Sequence, residues 1–266
     1  MLKSTKKCPI EYIVSDDDAS QYLRNCAVAA LILVGAYGLF VAGFISSWIL
    51  FAIVAVTLPR WIMNVHELIH VKNDKQINRI ISCLGLSPIP LSLVTLSYPE
   101  TRKIHQAHHY TPATESDPDA YHIQGNFFVV ILNALSTPEQ SFFRYLAVHG
   151  FNLQLGLDLL IKFLILAILI FLGGKKFFWF WLCLRIVNGL ADIVFFRLVH
   201  YQKDQYGTFE IKFPSNLETW GELIFGKIVI QATMNHDVHH QNPGIAVCHL
   251  AAARPYIMNF LSNPSC

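Results

Sequence analysis

CAVAALILVGAYGLFVAGF (residues 26–44), ISS (45–47), WILFAIVAVTLPRWIMNV (48–65) and HELIH (66–70) follow one another without interruption, and their order decides how the chain is read. Two apolar runs near the ~20 residues that cross the hydrocarbon core of a bilayer are joined by a link that allows only a tight reversal. The pattern predicts a transmembrane helical hairpin whose second helix ends at His66, the first residue of a histidine pair.

A second pair lies further along. Residues 153–172 are apolar, 173–176 read Gly-Gly-Lys-Lys, and 177–199 are apolar again and end at His200. Between the pairs, residues 77–96 are apolar but interrupted by Gly85, Pro88 and Pro90. Proline removes a backbone donor and breaks helices, so this stretch is expected to be re-entrant or interfacial. Residues 127–135 are too short to span, and 223–234 are expected to pack against the membrane surface. The fold class is therefore all-α integral membrane: four transmembrane helices in two hairpins, in a single domain over residues 1–266, with a histidine-bearing cap.

Composition agrees, since 53% of the 266 residues are hydrophobic and 14% are charged, against about 25% charged in soluble proteins. A net charge of +2 with dispersed basic residues sets nucleic acid aside as a partner. The cysteines at 8, 26, 83, 183, 248 and 266 form no CxxC pair and read as reduced thiols. Residues 1–25 lack a signal-peptide pattern, so the first span is expected to stay as an anchor.

Two hairpins place the N-terminal, middle and C-terminal polar segments on one side of the membrane. Most lysines and arginines fall on that side, among them Lys72, Arg79, Arg102 and Arg254, which makes it cytosolic by the positive-inside rule; Lys175 and Lys176 point the other way.

Three histidine clusters lie in these segments: His66-x-x-x-His70, His105-x-x-His108-His109 and His236-x-x-His239-His240. They use eight of twelve histidines, and HxxHH twice in one chain is far beyond chance. Spacings of three and four put these side chains on neighbouring positions of a helix. Eight imidazoles exceed the three or four that one zinc takes, so two metals are expected. Iron in a nitrogen-rich shell would activate O2 and remove hydrogen from an unactivated carbon, chemistry no side chain performs. Spacing alone does not separate iron from other metals.

With its three boxes, their order and their placement around two helix pairs, the chain resembles the membrane fatty acid desaturase superfamily, which includes acyl-lipid desaturases and carotenoid hydroxylases and ketolases. The resemblance implies a di-iron centre held by His66, His70, His105, His108, His109, His236, His239 and His240. His200 is the positional match to a further ligand of related desaturases, with a helix-end histidine bonded to backbone or water as an equal reading. His122, His149 and His249 are expected to be structural.

Glu67, Asp117, Asp119 and Asp237 are candidates to accept hydrogen bonds from ligating imidazoles. For Asp117 and Asp119 a solvated loop or helix cap is nearly as strong a reading. Asp158, Lys162, Arg185 and Asp192 fall within spans, where charge is costly, and are expected to form ion pairs, with a role beside the metals as the second reading.

HELIH also fits the zinc-protease motif HExxH, but that reading leaves six histidines unexplained. A metal transporter would place its site near the bilayer midplane, not at helix exits. Within the superfamily, an acyl-chain desaturase is the leading expectation and a carotenoid hydroxylase or ketolase the runner-up. The Gln241-Asn242-Pro243 that follows the third box departs from many acyl-lipid desaturases. No cytochrome, dinucleotide-binding or iron–sulfur motif is present, so the electrons are expected from a separate ferredoxin or cytochrome b5-like donor with its reductase.

Overall fold

The computed structural model describes residues 8–71 and 94–261. The apolar stretch at 77–96 falls largely outside the described residues. Within them the chain is mostly helical, and four helices are long and apolar enough to cross a membrane: Asp16–Val41, Ser47–Ile69, Leu153–Gly173 and Lys175–Leu198.

Helix α1 (Asp16–Val41) begins ten residues before the apolar run. Ser15 caps it reciprocally with Asp18, and Asp16, Asp17 and Asp18 face the positive end of the helix dipole, so the polar lead-in is helical too. Helix α2 (Ser47–Ile69), capped by Ser46 on the amide of Ile49, runs past residue 65, carries His66 and ends at His70. It packs along α1 and against the fourth long helix. Leu33, Leu50, Leu58, Leu68 and Phe180 are fully buried in the shared core.

Helix α3 (Tyr98–Tyr110) carries the second box. Three helices of 4, 9 and 13 residues follow it, α4 (Ala120–Ile123), α5 (Phe127–Leu135) and α6 (Thr137–His149), and then the third long helix, α7 (Leu153–Gly173). Only Leu155 and Asp158 of α7 are buried. A helix this apolar with almost every side chain outward has its counterpart in lipid rather than water. Helix α8 (Lys175–Asp192) continues as a π-helical turn, Ile193–Leu198. Lys176 donates to the carbonyls of Phe40 and Val41 at 3.2 and 2.8 Å, so this cation caps the negative end of α1.

Two short strands interrupt the helices, β1 (Tyr201–Gln202) and β2 (Gln205–Tyr206), paired antiparallel. Lys203 and Asp204 between them both have positive φ, the conformation of a two-residue hairpin turn. The apolar stretch at 223–234 is not one element. Gly226, with φ +94°, separates α9 (Ser215–Phe225) from α10 (Lys227–Met234), and α10 packs onto α2. Helix α11 (His236–Gln241) carries the third box, and α12 (Leu250–Leu261) follows. Residues 12–14 bond to Gly244 and Ala246, and Tyr12 stacks on His249, which gives that histidine a packing role.

Candidate metal centre

The helix geometry of the two HxxHH boxes determines how they share their ligands. At about 100° per residue, positions i and i+4 lie about 40° apart, whereas i+3 points about 100° away from i+4. Box two sends the pair His105 and His109 to one point and His108 to another; box three sends the pair His236 and His240 to the second point and His239 to the first. The exit of α2 adds His66 and His70 to the first group, and the end of the π-helical turn is followed by His200, which joins the second. The result is a five-imidazole group (His66, His70, His105, His109, His239) beside a four-imidazole group (His108, His200, His236, His240), with the ligand atoms of each within 4.8 Å of one another. Rings of the two groups touch, His109 stacking on His240 at 4.2 Å.

Within each group the Nε2 atoms face inward. His105 approaches His70 at 3.1 Å and His109 at 3.0 Å. His236 approaches His200 at 3.1 Å and His240 at 3.0 Å. Metal–imidazole bonds of about 2.1 Å at right angles place adjacent nitrogens about 3.0 Å apart, whereas tetrahedral angles would place them about 3.4 Å apart. These nearest pairs are close enough to converge on one ion, an arrangement compatible with iron.

The outer nitrogens fix the tautomers. His108 Nδ1 donates to both oxygens of Asp117 at 2.8 and 2.9 Å, and Asp117 is held by the amides of Ala113 and Asp119 at 2.7 and 2.8 Å. Burial opposes ionisation of Asp117, but the bond from His108 and these amides outweigh it and its pKa is lowered. His66 Nδ1 donates to Glu67 at 2.9 Å. His200 Nδ1 donates to the carbonyl of Gly207 at 2.8 Å, because the β1–β2 hairpin folds that residue back onto it. His200 thus has the backbone bond of a helix-end histidine and an inward Nε2 at once. In all three the proton on Nδ1 leaves the Nε2 lone pair for a metal.

Burial first, and neighbouring imidazoles second, push His105, His236, His239 and His240 well below the ordinary histidine pKa. The same causes bring His200 to about 3. These neutral imidazoles, packed in one buried place, form an electron-pair-rich pocket that a cation would satisfy. Among the described residues His239, 1% exposed, has no hydrogen-bond partner on either ring nitrogen, a costly arrangement for a group that a metal bond would complete.

The other singled-out residues lie elsewhere. Asp237 faces Arg254, which donates to it at 2.7 and 2.9 Å. Asp119 has a carboxylate oxygen within 4.8 Å of a ring nitrogen of His108 and lies 3.8 Å from His122 Nε2. His122 Nδ1 donates to Asp192 at 2.7 Å. Asp158 pairs with Lys162, and Arg185 with Glu139. His149 lies against Tyr145. A cavity of about 140 Å³ opens on the metal groups at His66, His105, His108 and His236, and its walls include Ile62, Met63, Ile104, Phe195 and Phe196.

A family model described as fatty acid desaturase matches residues 46–264. The chain belongs to the fatty acid desaturase family. No curated protein and no solved structure matches it. Family membership makes this desaturase-family chain an oxidoreductase with a lipid substrate and a membrane setting, and its histidine groups are compatible with iron. The protease reading of HELIH finds no support, since Glu67 bonds to the outer nitrogen of His66 and the inward side is filled with imidazoles.

Sequence reasoning did not anticipate the Gly207 carbonyl or the Arg254 partner of Asp237, because both depend on tertiary return of the chain. It also passed over Asn188, although a carboxamide four residues before Asp192 in an apolar run marks one helix face as polar.

Proposed function

We propose that this chain is an O2-dependent, non-haem di-iron oxidoreductase of the membrane that introduces a double bond into the acyl chain of a lipid. The observation that carries the reading is the partition of nine imidazoles into groups of five and four beside one cavity. In it, His66, His70, His105, His109 and His239 hold one iron and His108, His200, His236 and His240 the other. Bound there, the irons would supply O2 activation and removal of hydrogen from an unactivated carbon. The residues of the chain do the rest. Asp117, Glu67 and the Gly207 carbonyl orient the ligating rings, while Phe195, Phe196, Ile62 and Ile104 exclude water and align an apolar chain.

The four long apolar helices support two membrane hairpins, and the distribution of lysine and arginine supports a cytosolic position for the histidine boxes. Electrons come from a separate ferredoxin or cytochrome b5-like protein with its reductase. The test is metal analysis with product profiling of the purified protein, given such a donor, beside a His108→Ala, His109→Ala double variant. Wild type is expected to contain iron and yield a new double bond, and the variant to lose both. An oxygenated ring from a carotenoid would instead identify a hydroxylase or ketolase. Iron and activity that survived the double substitution would overturn the assignment of the second box.

A further inference from the structure

Two short helices carry their polarity the wrong way round for water. In α9, Glu218 and Glu222 turn toward α10, where both accept from the side-chain amide of Gln231, at 3.1 and 2.8 Å. Leu217, Trp220, Leu223 and Ile224 point outward, with Trp220 60% and Leu223 68% exposed. Helix α5 repeats the pattern. Asn133 turns inward, donating to the carbonyl of Tyr121 at 2.7 Å and accepting from Gln140 at 2.8 Å, while Phe127, Phe128 and Leu132 are exposed. A surface helix in water sets its apolar stripe against the core and its polar residues outside. Here the carboxylates and the carboxamide bond within the protein and the apolar stripe is outside, the order expected in apolar surroundings.

Each helix is tied at its C-terminal end to a long apolar helix, and the ties fix its level. Arg60 of α2 donates to the carbonyl of Ile224 at 2.7 Å, and Arg185 of α8 to the carbonyl of Leu135 at 3.2 Å. Both carbonyls belong to the last turn of their helix, where no intrahelical partner remains. At 1.5 Å per residue, Arg60 lies about 20 Å from the start of α2 at Ser47, and Arg185 about 15 Å from the start of α8 at Lys175. A hydrocarbon core is about 30 Å thick, so the ties fall between its middle and the histidine side. A helix-end carbonyl at that depth finds no water, and an arginine on a neighbouring span is a donor that reaches it. With 11 and 9 residues, α9 and α5 are too short to cross.

We propose that α9 and α5 are monolayer anchors, their outward faces embedded among the acyl chains of the leaflet on the histidine side. The inference rests on the proposed membrane topology and deepens it, giving the protein a wider footprint in that leaflet than in the other. Of the stretch 223–234, only the part in α9 faces lipid, since α10 packs onto α2 with Val229 and Ile230 buried.

The test uses the full-length protein in phosphatidylcholine liposomes and reads tryptophan fluorescence, with lipid brominated on its acyl chains or aqueous iodide as the quencher. Trp220→Phe isolates the Trp220 component by difference, with Trp220→Leu in its place if that variant does not fold. Trp179→Phe isolates a tryptophan on the outward face of α8, 56% exposed. Brominated lipid is expected to quench both components and iodide neither, and Phe128→Trp is expected to add a component that responds in the same way. A Trp220 component quenched by iodide would put α9 in water, and one quenched by neither agent would put it under a second copy of the chain. Either result, beside a Trp179 component that brominated lipid quenches, overturns the inference and leaves the spans standing. If brominated lipid quenched neither Trp179 nor Trp220, the membrane topology would fall together with the inference. A Phe128→Trp component untouched by brominated lipid would overturn the placement of α5.

Discussion

Asp117 and His108 form a bidentate buried pair, with Nδ1 of the imidazole 2.8 and 2.9 Å from the two carboxylate oxygens. The amides of Ala113 and Asp119 lock the carboxylate, so the pair holds one ring of the four-imidazole group rigidly. Partners of this kind typically contribute about 10–100-fold to metal affinity or activity. Asp117→Ala is therefore expected to weaken iron binding within that range while the chain stays folded, as measured by metal titration alongside circular dichroism. Unchanged affinity would show that His108 needs no orienting partner.

The partition of the two HxxHH boxes gives a separable prediction. His105 and His109 serve one group and His236 and His240 the other. A His105→Ala, His109→Ala variant is expected to keep the ion of the four-imidazole group, and a His236→Ala, His240→Ala variant the ion of the five-imidazole group. Each would retain about half of the wild-type metal, since one group keeps all of its imidazoles while the other loses two. Complete loss from either variant would mean that the ions are bound as one unit.

Much of this architecture is legible in the sequence, for physical reasons. A membrane span needs an apolar run with few charges, and a helical ligand pair needs spacings of three or four. Both are local, so His66, His105 and His236 announce themselves, as do four spans. The early start of α1 is less visible, because the capping box of Ser15 and Asp18 extends a helix through polar residues. Partners chosen by tertiary return are not visible at all. Asp237 lies inside a box yet bonds to Arg254, and His200 meets Gly207 only because a two-residue turn reverses the chain.

That Asp237–Arg254 pair predicts a stability defect rather than a metal defect. Asp237 is 4% exposed and receives two hydrogen bonds from the guanidinium. Arg254→Met would leave a buried carboxylate uncompensated, at a cost of about 3 kcal/mol. A lower melting temperature with unchanged iron per folded molecule is the expected result. Iron loss at unchanged melting temperature would place Asp237 in the support of the metal instead.

His122 ties α4 to α8 through Asp192 at 2.7 Å, and this link carries a pH signature of defined sign. Burial disfavours the charged ring, but Asp192 and then Asp119 and Asp117 raise its pKa above 6.5. A group whose pKa is higher folded than unfolded stabilises the fold fully below its unfolded value, and loses that contribution as pH rises through its folded value. His122→Gln keeps a polar side chain but cannot take up the proton. The stability gap between wild type and this variant is therefore expected to be widest near about pH 6 and to narrow toward about pH 9, measured by chemical denaturation in detergent. A gap that stayed constant or widened with rising pH would mean that His122 is neutral in the fold and that its bond to Asp192 acts by geometry alone.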